Sequence, residues 1–224
     1  MQRSLVGSEM CIRDSNNIWL GSIGGGVLMI DTKQSPFAFY SLNLAEDDVP
    51  TTAVRALFAD ADKDLWLGTG SYGLARKDYE TGVLSFFSHI PEFSDIPSVP
   101  TVNYIIQRKN GEVWFATYDG GILIYEKGEK VKVLTESDTP YLYSDCVSAL
   151  CEDSKGNCWV GCRGGMGISL ADGGHYRFGT LSFAGGGLAD WYHVKDIVED
   201  ADGSFWIATA NYGIIHIMGC LLYT

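Results

Sequence analysis

Five tryptophans, Trp19, Trp66, Trp114, Trp159 and Trp206, follow one another at spacings of 47, 48, 45 and 47 residues. Each sits in a short segment of one kind: IWLGS, LWLGT, VWFAT, CWVGC and FWIAT. A fixed core motif recurring at such a period means that the chain repeats one supersecondary unit, and this constrains the fold more than any single residue can. Twelve residues before four of the tryptophans stands a valine: Val54, Val102, Val147 and Val194. Leu57, Ile105, Leu150 and Ile197 follow it three residues on.

A polar stretch separates the valine segment from the tryptophan segment: Asp60–Asp64, Arg108–Glu112, Asp153–Asn157 and Asp200–Ser204. Asp and Asn side chains bond their own backbone and Gly supplies positive φ, so each stretch predicts a hairpin turn. The β-branched and aromatic runs on either side are too short for helices and read as strands. A glycine-rich turn and a third strand follow at Val27–Asp31, Leu74–Asp78, Ile122–Glu126, Ile168–Ala171 and Ile214–Met218. A more variable fourth comes next, as in Val83–Ser88 and Val131–Thr135. Four antiparallel strands in a unit of this length predict an all-β β-propeller. The blades are residues 16–42 (partial, without an opening strand), 54–88, 102–135, 147–181 and 194–218 (partial). Closure protects sheet edges, and these pieces do not close without duplicating strands, so an open arc of about five blades is expected. The five tryptophans are assigned to packing between blades.

Composition narrows the function. A net charge of −12 disfavours nucleic acid, which needs a basic stripe. The sequence holds no apolar run long enough to span a bilayer. Its 27 glycines against 6 prolines suit many hairpins. Residues 1–15 and 220–224 have no place in the repeat and resemble translated adapter or assembly sequence, so the propeller is expected within 16–219.

Strand order puts the loop after each tryptophan strand on the same face as the connections between blades. Function in such folds usually lies on loops held by a rigid scaffold. Tyr72, Tyr118, Asp119, Arg163 and Tyr212 on the loops, and Trp191 on the connection 182–193, are the candidate ligand-binding residues. Aromatic rings suit the apolar faces of a sugar while polar groups meet its hydroxyls, so an oligosaccharide is the candidate ligand. The competing reading is that these aromatics fill gaps between blades.

Other motifs carry less. Cys146, Cys151, Cys158 and Cys162 cluster in one blade at spacings that match no familiar zinc pattern. Buried free thiols are favoured over a disulfide between Cys151 and Cys158 or a metal site. The turn at Asp200–Gly203 lacks the remaining acidic ligands of a calcium loop. The four histidines stand apart, and neither a nucleophile elbow nor a phosphate loop occurs. No catalytic residue, cofactor or metal ligand is assigned.

The pattern V-x-x-[LI]-x-x-D-x-x-G-x-[LV]-W-[LIV]-[GA]-T-x-x-x-G-[LI] is assembled from Val54–Leu57, Trp66–Thr69, Gly73-Leu74 and their counterparts. It resembles the two-component regulator propeller repeat. That family occurs in the extracytoplasmic sensor half of Bacteroidetes hybrid histidine kinases. The resemblance implies a non-catalytic, glycan-sensing, periplasmic segment whose partners are the rest of the parent receptor and its dimer mate. In the fourth blade Cys162 replaces the threonine and the glycine is shifted to Gly167, which puts the Arg163 loop outside the common pattern. Two other classes stay open. One is a propeller lyase using a histidine and acidic residues with a divalent metal, for which His193 and Asp190 lie on a suitable loop. The other is an interaction scaffold.

Overall fold

The computed structural model describes residues 10–13, 17–22, 26–31, 38–40, 53–70, 72–178, 181–182, 188–189 and 193–218. The first sheet contains β1 (Met10–Arg13), β2 (Asn17–Ser22), β3 (Gly26–Asp31) and β4 (Ala38–Tyr40). The second contains β5 (Val54–Ala59), β6 (Leu65–Thr69), β7 (Leu74–Lys77) and β8 (Leu84–Phe86). In the third are β9 (Val102–Gln107), β10 (Val113–Thr117), β11 (Ile122–Tyr125) and β12 (Lys132–Leu134). The fourth has β13 (Val147–Glu152), β14 (Cys158–Cys162), β15 (Gly165–Ser169) and β16 (His175–Phe178). A two-stranded ribbon, β17 (Leu181–Ser182) and β18 (Leu188–Ala189), precedes the last sheet. That sheet is β19 (Val194–Glu199), β20 (Phe205–Thr209) and β21 (Ile214–Ile217).

Each blade is an antiparallel meander with its strands in chain order. Neighbouring blades meet through their first strands, β5 beside β9, β9 beside β13 and β13 beside β19, so these strands lie innermost. The chain is therefore an all-β, open β-propeller arc. One element departs from the sequence reading. Met10–Arg13 pairs with Asn17–Ser22 and occupies the opening-strand place of the first blade. The β-capable residues Cys11 and Ile12 satisfy an edge of β2 that would otherwise be unpaired.

The cores lie between the blades. Trp66, Leu74 and Ala56 of the second blade pack with Phe115, Leu123 and Val102 of the third. Trp114, Ala116 and Ile122 pack with Val147, Cys158 and Val160 of the fourth. Trp159, Met166 and Ile168 pack with Val194, Phe205 and Ile207 of the fifth. Alternation along each strand therefore feeds two separate cores, one per sheet face.

The repeat motif explains the fit. A Cβ at Gly68 would stand 2.8 Å from Cγ1 of Val102, and one at Gly161 would stand 2.4 Å from Cγ1 of Val194. The glycine of the tryptophan strand is thus the hole that receives the next blade's first valine. In the second and fourth blades the tryptophan beside it meets an aromatic of the next blade. Trp66 lies 5.1 Å from Phe115 between ring centroids, and Trp159 stacks on Phe205 at 3.9 Å.

Every described first strand from β5 onward carries a bulge one residue after its valine, at Arg55, Asn103, Ser148 and Lys195. The extra residue breaks an inner edge that would otherwise invite pairing. It also reaches across. The Asn103 Nδ2 donates to the Val147 carbonyl at 3.0 Å, and the Ser148 Oγ donates to the Val194 carbonyl at 2.5 Å.

Candidate functional site

At one end of the blades the turn aspartate does more than turn the chain. The indole Nε1–H of Trp66 donates to Asp60 at 2.8 Å, that of Trp159 to Asp153 at 3.0 Å and that of Trp206 to Asp200 at 2.9 Å. In the third blade Arg108 stands at the aspartate place. There Glu112 accepts from Trp114 at 2.9 Å, and the Arg108 guanidinium covers the ring at 4.8 Å. A buried indole N–H needs an acceptor, and the short polar turn supplies it.

The two best-buried clamps are tuned in opposite senses. Burial pushes the Asp153 carboxyl up, but hydrogen bonds from Trp159, Asn157 and the backbone outweigh it and hold it below its usual range. Burial also raises Asp60, and with the carboxylates of Asp64 and Asp62 nearby it stays above the usual range despite the Trp66 hydrogen bond.

A second contact at this end recurs between blades. The Ala61 N–H donates to Gln107 at 2.8 Å, the Lys109 N–H to Glu152 at 2.7 Å and the Ser154 N–H to Glu199 at 2.7 Å. The acceptor is always the last residue of the next blade's first strand. Sequence reasoning missed this clamp, although a polar residue five positions after each of the valines Val102, Val147 and Val194 was its visible signal.

The opposite end carries the candidate binding residues. The loops after the tryptophan strands and the inter-blade connections do share this face. The Gly70 N–H donates to the Ala53 carbonyl, Tyr118 to Thr101, Arg163 to Cys146 and Ala210 to His193, all at 2.8–2.9 Å. In three blades a threonine fixes the loop. Thr69, Thr117 and Thr209 each donate to the carbonyl of Gly73, Gly121 or Gly213. Each also accepts an N–H three residues on, from Tyr72, Gly120 and Tyr212. Tyr72 and Tyr212 are therefore equivalent, and Gly120 is their counterpart in the third blade. Tyr118 shares a position with Gly70, Arg163 and Ala210.

Tyr72, Tyr118, Asp119, Arg163 and Tyr212 are all exposed on this face. Trp191 lies outside the described residues, as does Asp190. The described candidates are distributed over successive blades, with Asp119 and Arg163 both near Cys146. A pocket of about 360 Å³ opens beside Tyr72 and is lined also by Phe86, Phe87, Ser88, His89, Ser98 and Val99. The Tyr72 ring meets Phe86 edge-on at 6.3 Å between centroids.

The fourth blade differs. Without the threonine, Cys162 pairs directly with Gly165, leaving Arg163 and Gly164 as a two-residue turn with Gly164 at φ 90°. The third strand consequently starts at Gly165, ahead of the expected Ile168. Its four cysteines are free. Cys151 faces the core shared with the fifth blade and Cys158 the core shared with the third, so the sheet separates them. Burial pushes the Cys158 thiol up to about 12 and the Cys151 thiol up to about 11, so both remain inert thiols. Among the described residues no three His, Cys, Asp or Glu side chains gather as a metal site.

Residues 144–164, the first strand and tryptophan strand of the fourth blade, match the family model described as "Two component regulator propeller". The match covers one repeat, and the rest of the chain shares that repeat's strand pattern. No curated protein matches the sequence. Among solved structures it is similar to the extracellular domain of a candidate hybrid two component system, BT3049 of B. thetaiotaomicron. The TM-score is 0.71 and the identity 18%, over 93% of this chain and 27% of that one. PorZ, a surface component of the type-IX secretion system of Porphyromonas gingivalis, matches at TM-score 0.62 and 20% identity, over 89% of this chain and 30% of that one. Virginiamycin B lyase from Staphylococcus aureus matches at TM-score 0.65 and 15% identity, over 93% of this chain and 68% of that one. At these identities the likeness establishes the propeller fold. The chain spans less than a third of the length of the first two. Among the described residues no helix is long and apolar enough to cross a membrane.

Proposed function

We propose that this propeller is a ligand-sensing segment of an extracytoplasmic two-component receptor, not itself catalytic, with an oligosaccharide as its ligand. The pocket beside Tyr72 carries the reading. It opens on the face where loops and connections converge, its walls are aromatic, and Ser88, His89 and Ser98 supply polar groups at its margin. Aromatic walls with few polar groups suit a sugar ring, which has apolar CH faces and hydroxyl edges. The threonine-fixed turns hold Tyr72 and Tyr212 in place without induced ordering, which lowers the cost of binding. Tyr118, Asp119 and Arg163 extend the same face along the arc, and Trp191 is the remaining candidate from the sequence.

The repeat family and the likeness to extracellular domains of B. thetaiotaomicron systems support a place outside the cytoplasm, in the periplasm, within a histidine kinase receptor. In that setting the propeller acts by population shift. A ligand that binds one arrangement of the receptor and its dimer mate more tightly than another biases the kinase by that difference in affinity.

The test is calorimetric titration of the chain with neutral and acidic oligosaccharides, using wild type, Tyr72→Ala and Tyr212→Ala. Saturable binding that Tyr72→Ala weakens about tenfold or more, the loss typical of an aromatic anchor, supports the reading. Absence of saccharide binding, or turnover of a saccharide by the chain alone, contradicts it.

A further inference from the structure

The loop face gathers unpaired positive charge at one corner, in a chain of net charge −12. Arg163 occupies the tight turn of the fourth blade. Its backbone bridges to His193, the residue before β19, and its N–H donates to the Cys146 carbonyl at 2.9 Å. Lys195 follows two residues later, at the bulge of β19. Arg163 and Lys195 are exposed. Among the described residues neither side chain has an ion pair or hydrogen bond, although carboxylates abound elsewhere on the chain. His193 is half-buried, and its Nε2 is buried without a hydrogen-bond partner.

The three groups act on one another. Burial lowers the affinity of the His193 ring for a proton, and the charges of Lys195 and Arg163 lower it further. The same two charges reach the Cys146 thiol, where Asp119 of the neighbouring loop is the opposing carboxylate. An aromatic surface borders the corner. A Cβ on Gly164 would stand 3.3 Å from Cε1 of Tyr143, so that ring lies against the turn.

Two exposed cations brought to adjoining strands by the Arg163–His193 bridge leave a place where a negative oxygen would be drawn to both. The guanidinium fork suits a carboxylate or a sulfate, and fixed cations in an otherwise acidic field focus attraction at that point. We propose that this corner binds the acidic group of a charged saccharide, a uronate carboxylate or a sulfate ester, with Arg163 and Lys195 around the oxyanion, the His193 backbone holding the Arg163 turn beside Lys195, and Tyr143 beside the ring. The proposal rests on the loop-face reading above and adds to it the charge of the ligand. The same two positions meet in the second blade, where Thr101 donates to the Gly70 carbonyl at 2.8 Å, so what sets the fourth blade apart is the charge of Arg163 and Lys195.

The test compares four probes on the full chain: trigalacturonate, a sulfated chondroitin disaccharide, neutral maltotriose and sodium sulfate. The expected result is saturable binding of the two acidic saccharides that weakens with added salt. Arg163→Gln and Lys195→Gln should each weaken it about tenfold, as loss of one charge-assisted contact does. Both residues are exposed, so neither substitution threatens folding. Binding of maltotriose that depends on Tyr72 but not on Arg163 or Lys195 would overturn the charged subsite and leave the loop-face function standing. Acidic saccharides bound equally by wild type and both variants would do the same. Sulfate bound as tightly as the saccharides would reduce the corner to a free-anion site. Failure of every saccharide would remove the loop-face function with it.

Discussion

The fourth and fifth blades present the same motif in two surroundings. Trp159 and Trp206 occupy the same strand position, and each indole donates to its turn aspartate, at 3.0 and 2.9 Å. Yet Trp159 is fully buried against Phe205, while Trp206 is 42% exposed and stacks on His216 of its own sheet. Their third strands differ in the same way. Met166 is 2% exposed, and its counterpart Ile214 is 70% exposed. The local sequence thus sets the orientation and the hydrogen bond of the tryptophan. Its burial comes from the blade that follows. The loop face stays rigid because each blade is held by its neighbour, not because any single sheet is stable alone.

The strongest way to break this comparison is to truncate both rings. Trp159→Ala should cost about 3–5 kcal/mol in equilibrium urea unfolding, the range for a buried aromatic. Trp206→Ala should cost about 1 kcal/mol, typical of a site with little packing to lose. Similar losses at the two sites would mean that the following blade contributes little. Filling the interlocking hole sharpens the point. Gly161→Val should cost about 1–3 kcal/mol because its side chain collides with Val194, whereas Ala208→Val, at the same place in the fifth blade, should be close to neutral.

A smaller effect separates the aspartate clamps by pH. The Asp153 carboxyl is lowered in the folded chain. Its contribution is therefore complete above the unfolded value, about 3.9, and is lost as pH falls through the lower folded value. Asp60 is raised, so its contribution is present below the unfolded value and lost as pH rises through the folded one. Asp153→Asn should flatten the acid limb of a plot of stability against pH, and Asp60→Asn should not. The smallest expected change lies in the turns. Lys63 holds φ 70° where Gly111, Gly156 and Gly203 stand in the other copies. Lys63→Gly should gain about 0.5 kcal/mol, the relief of left-handed strain less the added backbone entropy. A loss on urea unfolding would show that the lysine is not strained.

The blades were legible because the glycine, the valine and the tryptophan that make the interlock are short-range neighbours in one repeating string. So was the shared face of the loops, which follows from strand count alone. Less visible were the features that need two blades at once. Asn103 and Ser148 read as ordinary strand residues until the bulge turns them toward the next valine. Glu152 and Glu199 read as solvent-facing charges until the preceding turn is placed against them. The candidate tyrosines stand on one face, and the structure adds that Tyr72 and Tyr212 share one repeat position. The Arg163–His193 bridge was not legible, because it joins a loop of one blade to the residue before the first strand of the next. The opening strand of the first blade was missed because Met10–Arg13 carries none of the repeat's signature residues.

Hydrogen exchange at the indole N–H groups tests the central claim most directly, since Trp66, Trp159 and Trp206 have matched hydrogen bonds to their turn aspartates. The expected result is slow exchange at Trp66 and Trp159, close to the rate set by global unfolding, and exchange at Trp206 faster by orders of magnitude. Equal protection of Trp206 and Trp159 would contradict the claim that each blade's tryptophan is sealed by the blade after it.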